Sequence, residues 1–478
     1  MQALDADQSA QQPTKQSSVQ SDKSDYAGAG RKSTTYLICT LVLCGLVVLA
    51  GCQHQVQSDL QPGLVAPKKY SRGSLQASKS SSQQWWQSLE DPQLAQYIEE
   101  ALQGNFTLKE GAARLKQAGL LVQQKNANRY PTVEAGVGLN ADFEDSDLGL
   151  SESLGFTFSW EADLWGRLAA ARQAAFLDAQ AEQEALAELS LAVSVEIAET
   201  YYELIEQNLL YELLQSQLEA DTTAHDLVKL RFANGAVSSS DVLQQEELLA
   251  SVRAQFPPIQ AQLVLLRNRL LILQGHMPES KEFALPESLP QLSPLPPLGI
   301  PADLLLNRPD LRKLRQEVAA ADSRVAEAVA DRLPSLKLGG SAGLSSGEMV
   351  LSLFAEALAT VLDWDQKKNE VKLRKAKVEE KTAAWSQAYL EAVEEVENSL
   401  TQEQEQSKLL LALQEQLQVA EALLEQTRNR YLHGVTDYLP VLTALVSVQN
   451  LERSLIQQQR LLLSYRLQLY HALGGSPL

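Results

Sequence analysis

Between Thr132 and Leu164 apolar and polar residues alternate with a period of two. Val133, Ala135, Val137, Leu139, Ala141 and Phe143 fall on one face; Thr132, Glu134, Gly136, Gly138, Asn140 and Asp142 fall on the other. After the acidic stretch Glu144–Asp147 the alternation returns. Leu154, Phe156, Phe158, Trp160, Ala162 and Leu164 oppose Ser153, Gly155, Thr157, Ser159, Glu161 and Asp163. A period of two predicts strands with one apolar and one polar face. About ten residues is also the length of a tilted strand that crosses a bilayer. Trp160 and Trp165 suit the aromatic girdle of such strands. Ser335–Leu344 supplies a third segment, with Leu336, Leu338, Ala342 and Leu344 on one face. Its successor breaks the pattern: Leu351, Phe354, Leu358 and Val361 follow helical spacing. The interval from Pro334 to Asp363 is also short for two strands and a loop. The fourth strand, over about 351–362, is therefore expected to be truncated or irregular.

Each strand pair leads into a long helical stretch. Gly166–Phe232 contains no proline, and Gln366–Tyr431 matches it in length. Roughly 67 residues at 1.5 Å each span roughly 100 Å. Gly235 and Gly434 mark reverse turns, where glycine takes the left-handed backbone that ends a helix. Returning helices are expected to run to about Gln274 and Leu473. The last carries Val441, Val448, Leu455, Leu462 and Leu469 at seven-residue spacing, one seam of coiled-coil-like packing. Pro257-Pro258 is expected to kink or interrupt the first returning helix.

The two halves repeat one plan. Arg129-Tyr130-Pro131 and Arg332-Leu333-Pro334 open the strands; Arg231-Phe232-Ala233-Asn234-Gly235 and Arg430-Tyr431-Leu432-His433-Gly434 mark the turns. Both landmarks recur after about 200 residues, too long a period for a solenoid. The expected organisation is a leader and signal peptide over 1–51, a tether over 52–84, and structural repeats over 85–290 and 291–478. Each repeat holds a helix, a strand pair and a long helical hairpin. One chain supplies at most four strands. An open sheet edge cannot face lipid, and single-chain barrels begin at about eight strands. If these strands cross a membrane, several chains close the barrel together. Two plainer structures compete: a two-faced hairpin in a soluble domain, and a soluble coiled-coil scaffold.

The chain has 478 residues and a net charge of −19, which argues against nucleic-acid binding. Its cysteines, Cys39, Cys44 and Cys52, lie in or just after one apolar segment, so no disulfide framework or cysteine metal site is expected further along. Arg31 and Lys32 precede that segment, Tyr36–Ala50. At roughly 15 residues it is short for a membrane-spanning helix and suits a secretory signal. It ends Leu49-Ala50-Gly51-Cys52, which resembles a bacterial lipobox. Cleavage between Gly51 and Cys52 would free Cys52 to carry a diacylglyceryl group and an acyl chain such as palmitate. Gln53, rather than Asp, favours the outer membrane. About 30 polar residues precede the basic pair, which an extended leader or a misplaced start codon would explain.

Catalysis finds no support. His54, His225, His276, His433 and His471 form no paired metal-ligand spacing and adjoin no nucleophile motif. Gly136-x-Gly138 is not followed by a helix, so it fails as a nucleotide loop. No catalytic residue, no metal and no cofactor beyond the lipid on Cys52 is expected.

Four stretches resemble the TolC-like outer-membrane efflux factors, in their lipoprotein, NodT-type branch. They are Asp91-Pro92-Gln93-Leu94 with Ala101–Asn105, Glu161–Arg167, Arg308-Pro309-Asp310-Leu311, and His471–Gly475. The resemblance covers about residues 85–475. It implies a mainly α fold with a small β part: duplicated long-helix hairpins and strand pairs. Three copies would form an α-barrel continuous with a shared 12-stranded β-barrel. It implies a homotrimer, lipid-anchored in the outer membrane and extending into the periplasm. A periplasmic adaptor and an inner-membrane pump would be its partners. The function implied is a passive exit duct for small molecules in a tripartite efflux system. The alternative is a lipid-anchored periplasmic coiled-coil scaffold or adaptor that does not span the membrane.

Two departures from the family pattern stand out. Asp365 occupies the second strand-to-helix junction, which in the family usually ends in glycine. Thr443 stands where the family often places an acid that rings the closed tunnel end. Asp241 and Asp437 are nearby acids that would replace it as a cation-attracting constriction. Leu439 matches a position where the family often puts an apolar constriction. Helix capping by Asp241 and plain packing by Leu439 are the competing roles.

Overall fold

The computed structural model describes residues 67, 69–71, 84–144, 147–278, 283–296, 298, 300–345, 348–360 and 362–475. All of them belong to one unit, His54–Leu478. The expected signal, lipobox and Cys52 lie outside the described residues.

After a 3-10 turn over Trp85–Leu89, Asp91 caps the first α-helix. Its carboxylate accepts from the backbone N–H groups of Gln93 and Leu94 at 3.0 Å, and Pro92 fills the first helical position. Helix α1 (Pro92–Gly104) follows, then α2 (Phe106–Ala127), capped by Asn105. The chain then forms β1 (Thr132–Glu144) and β2 (Asp147–Ala162). Helix α3 (Arg167–Ala233) and its return α4 (Ser239–Leu273) complete the first repeat. The second repeat is α5 (Pro309–Ala330), β3 (Ser335–Ser345), β4 (Glu348–Leu358), α6 (Gln366–Leu432) and α7 (Leu439–Ala472). Helices α3 and α6 have the same length, 67 residues each, or roughly 100 Å.

The strand-to-helix junctions show the repeat in detail. Asp163 accepts from the backbone N–H groups of Leu168 and Ala169, and Asp363 accepts from those of Asp365 and Lys367. Each carboxylate thus satisfies donors at a helix start that would otherwise be orphaned. Gly166 turns the chain at φ 76° and Asp365 at φ 65°. Asp365 thus adopts the glycine-like backbone that aspartate tolerates better than most residues. Without the glycine the second junction is reshaped locally: Trp364 also turns to positive φ, 51°, which its counterpart Trp165 does not, yet the long helix still starts at Gln366. Trp160 donates its ring N–H to the Arg129 carbonyl (2.9 Å), and Trp165 donates to that of Pro334 (2.7 Å). Both tryptophans tie the base of the sheet to the chain entering β1 and β3.

The strands form one antiparallel sheet in the order β1-β2-β3-β4. The expectation of a truncated fourth strand is wrong. β4 has 11 residues, as does β3, and pairs along its whole length from Ser335↔Leu358 to Ser345↔Glu348. Met349, Leu351, Leu353, Ala355 and Ala357 do alternate. Val350, Phe354 and Leu358 occupy the other face, so the superposed pattern looks helical.

Pro257-Pro258 does not interrupt α4, which runs as one helix through both. A proline at position i leaves the carbonyl of i−4 without a partner. Here those carbonyls belong to Arg253 and Ala254, which are exposed and open to water. Of the predicted seam in α7, Val441, Val448 and Leu469 are buried, while Leu455 and Leu462 are half-buried.

The core is a series of clusters along the helices. Trp86, Ile98, Tyr201, Leu270 and Leu467 pack in one; Leu311, Val318, Trp385, Val396 and Leu469 pack in a second. The start of the second repeat locks onto the chain's end. Arg308 forks onto Asp310 (3.0 and 2.7 Å), reaches Glu395 (2.6 Å) and donates to the Ala472 carbonyl (3.1 Å). A Cβ on Gly474, at φ 72°, would sit 2.8 Å from the Arg308 Cα, so this close approach requires glycine.

Candidate functional site

Two parts of the molecule bear on function: the sheet, and the tips of the helical hairpins.

On one face of the sheet, register brings the apolar positions of all four strands side by side. Val133 pairs with Phe158, and Phe158 with Gly340, which pairs in turn with Leu353. Val137, Leu154, Leu344 and Met349 form a second row. Gly340 has room for no side chain: a Cβ would meet Phe158 at 2.7 Å and Leu353 at 2.8 Å. Phe158 is half-buried by this contact, but Val133, Leu154, Leu344 and Met349 stay exposed, as do Leu353 (75 %) and Val137 (79 %). Among the described residues no helix covers them. An exposed apolar face of this extent is an interaction surface. The other face carries Thr132, Glu134, Gly136, Thr157, Ser159, Lys337, Gly339 and Ser341. Strands β1 and β4 leave their outer edges unpaired, which lipid does not tolerate.

At the far end the two hairpin tips meet. Val228, Tyr431, Tyr438 and Val441 form a small core there, with Val237 and Val242 packed against it. The Arg231 guanidinium lies 4.4 Å from the centre of the Tyr431 ring, joining the first tip to the second. Gly235 and Gly434 make the predicted turns at φ 71° and 70°. The backbone N–H of Ala236 donates to Arg231 and that of Val435 to Arg430, both at 2.9 Å. The remaining sequence-predicted residues lie at this end; Asp437, Leu439 and Thr443 are exposed and Asp241 is half-buried. Asp241 forms a capping box with Ser238, at 3.1 and 3.3 Å. Asp437 lies between turn and helix, and Leu439 is the first residue of α7. Thr443 turns its hydroxyl back onto the Leu439 carbonyl (2.9 Å).

Sequence reasoning missed a buried polar network behind these tips. Asp221 of α3 accepts from the Gln449 side chain of α7 at 3.1 and 3.0 Å. Gln245 of α4 donates to the Asp221 backbone carbonyl (3.1 Å) and accepts from the Tyr438 hydroxyl. Gln217 reaches Glu452 at 2.7 Å. Three helices are thus held in register by amides around one carboxylate. Sequence carried little signal for this. On a helix rich in polar residues, a buried Asp looks like a solvated one.

Burial pushes the Asp221 carboxyl above its ordinary value, although the Gln449 hydrogen bond and the Arg453 charge pull it down. A raised acid binds its proton more tightly when folded than when unfolded. Its contribution to stability therefore grows as pH falls through the raised value and is lost as pH rises. Asp221→Asn should remove that component. Thermal unfolding from neutral pH downward should show a smaller acid-side gain in the variant than in the parent. Identical pH profiles would contradict the assignment.

Comparison with known proteins agrees with this geometry. The sequence model described as "Outer membrane efflux protein" matches residues 97–276 and 300–475, one stretch in each repeat. Nodulation protein T of Rhizobium leguminosarum bv. trifolii is 26 % identical over 417 residues, covering 82 % of this chain and 88 % of that protein. The pyoverdine export outer membrane protein OpmQ of Pseudomonas aeruginosa is 26 % identical over 458 residues, covering 91 % and 96 %. The solved outer-membrane channel OprN superposes with a TM-score of 0.81 at 27 % identity, covering 88 % of this chain and 99 % of that one. With both repeats inside the family match and the channel fold reproduced, this chain belongs to the outer membrane efflux protein family and is an outer-membrane channel component of an efflux system.

Proposed function

We propose that three copies of this chain close one barrel and one tunnel, a passive exit duct across outer membrane and periplasm. The observation that carries this is the four-stranded sheet, with one exposed apolar face and two open edges. Three such sheets joined edge to edge give a twelve-stranded barrel with lipid outside and a polar lumen. The paired helical hairpins of three chains extend it as a helical tunnel. Cys52, freed by cleavage after Gly51, carries the lipid that holds each chain to the membrane. A periplasmic adaptor and an inner-membrane pump supply cargo and energy. The duct itself catalyses nothing.

Added to a planar lipid bilayer, the purified protein should give a stable conductance, and a variant lacking Val133–Leu164 should give none. A deletion variant that conducts like the full chain would contradict the duct. At the hairpin tips Asp241, aided by Asp437, supplies negative charge near the axis, and Leu439 and Thr443 line the same narrowing. Capping and pore charge are compatible roles for Asp241. Asp241→Asn should lower the preference of the resting channel for cations over anions. Unchanged selectivity would leave Asp241 with its cap alone.

A further inference from the structure

The polar face of the sheet contains one stretch that is not polar. On β4 that face reads Glu348, Val350, Ser352, Phe354, Glu356 and Leu358. The apolar members recur every fourth residue, so all three point the same way. Val350 is 51 % exposed, Phe354 53 % and Leu358 48 %. At about 3.4 Å per residue the stripe runs about 27 Å along the strand. No comparable stripe exists on this face of β1, β2 or β3 among the described residues, where Gly, Ser, Thr, Glu and Lys prevail. The lumen of an outer-membrane barrel is ordinarily polar.

Packing explains only part of the stripe. The Phe354 ring lies over Gly339, where a Cβ would collide with it. It therefore covers bare backbone and lies along the wall instead of crossing the lumen. Leu358 stands opposite Ser335 and covers no glycine. Two carboxylates flank the stripe on its own strand and face, Glu348 and Glu356; the neighbouring strand adds one cation, Lys337, opposite Glu356.

We propose that Val350, Phe354 and Leu358 form a contact track for cationic amphiphiles leaving through the barrel. The apolar or aromatic body of the molecule rests on the stripe, and its cation faces Glu348 and Glu356. This rests on the reading above that β4 lines a lumen.

Cysteine labelling on intact cells separates the two ideas. Ser352→Cys places a thiol within the stripe, and Thr157→Cys places one on the same face of β2. Each rate is taken against the unsubstituted chain. The probes are two impermeant cationic methanethiosulfonates, one bearing trimethylammonium and one benzyldimethylammonium. The aromatic reagent should react about fivefold faster than its partner at position 352 and show no preference at 157. Adding Val350→Thr and Leu358→Asn, which leave Phe354 on Gly339, should cut the preference to about twofold. Labelling at 352 with no aromatic preference, or a preference undiminished by the double substitution, overturns the track and leaves the duct standing. No labelling at 352 by either cation, from a chain that reaches the outer membrane, removes the lumen and both readings with it.

Discussion

Leu353→Arg should prevent assembly in the outer membrane, while Ser352→Arg one residue away should be tolerated. Leu353 is the middle residue of β4 and lies on the apolar face, packed over Gly340 beside Phe158. An arginine at the bilayer midplane on the lipid side of a barrel costs about 2–4 kcal/mol. A trimer would meet that cost in each of its three copies. Ser352 points the other way, and its hydroxyl lies 2.8 Å from that of Ser341 on the polar face. Arginine there remains in water. Heat-modifiable trimer on denaturing gels of outer-membrane fractions is the readout. Equal assembly of both variants would mean that the apolar face does not meet lipid.

Arg466→Met should destabilise the helical body by about 3–5 kcal/mol, the usual cost of leaving one partner of a buried ion pair alone. Arg466 of α7 and Glu403 of α6 are both buried and joined twice, at 2.9 and 2.6 Å. Burial alone would lower the arginine's pKa; the carboxylate's hydrogen bond and charge outweigh that and raise it. Arg466 also donates to the carbonyls of Ser293 (2.9 Å) and Pro294 (3.3 Å), fastening the segment that joins the repeats. Removing the cation strands Glu403 in the core and frees that segment. Pairing Arg466→Met with Glu403→Leu should recover most of the loss, because apolar replacement of both partners is often close to neutral. Thermal unfolding of single and double variants measures this. A single variant as stable as the parent would show that the pair carries no such load.

Legibility in the sequence followed how many faces of an element are under one constraint. β1, β2 and β3 alternate cleanly because one side meets apolar surroundings and the other meets water. β4 was obscured because Val350, Phe354 and Leu358 add apolar residues to its polar side. The misreading and the proposed track have the same origin. The long helices were legible to within a residue or two, since missing prolines and turn glycines bound them locally. Pro257-Pro258 leave the returning helix uninterrupted because it can leave the carbonyls of Arg253 and Ala254 to solvent. Asp365 shows that a left-handed position can hold an aspartate where glycine is expected. The network of Asp221, Gln245 and Gln449, and the Arg466–Glu403 pair, join residues far apart in sequence. Local periodicity has no means of signalling such contacts. Asp241 was legible as a first-turn acid, and its capping box with Ser238 is the part of its role that local sequence determines.

The central claim is that the unpaired edges of β1 and β4 are closed by other copies of the same chain. Native mass spectrometry of the protein extracted from its membrane in detergent tests this most directly. The account predicts three chains, each beginning at a lipid-modified Cys52. A monomer or dimer, even a lipidated one, would leave too few strands to close a barrel and would contradict it.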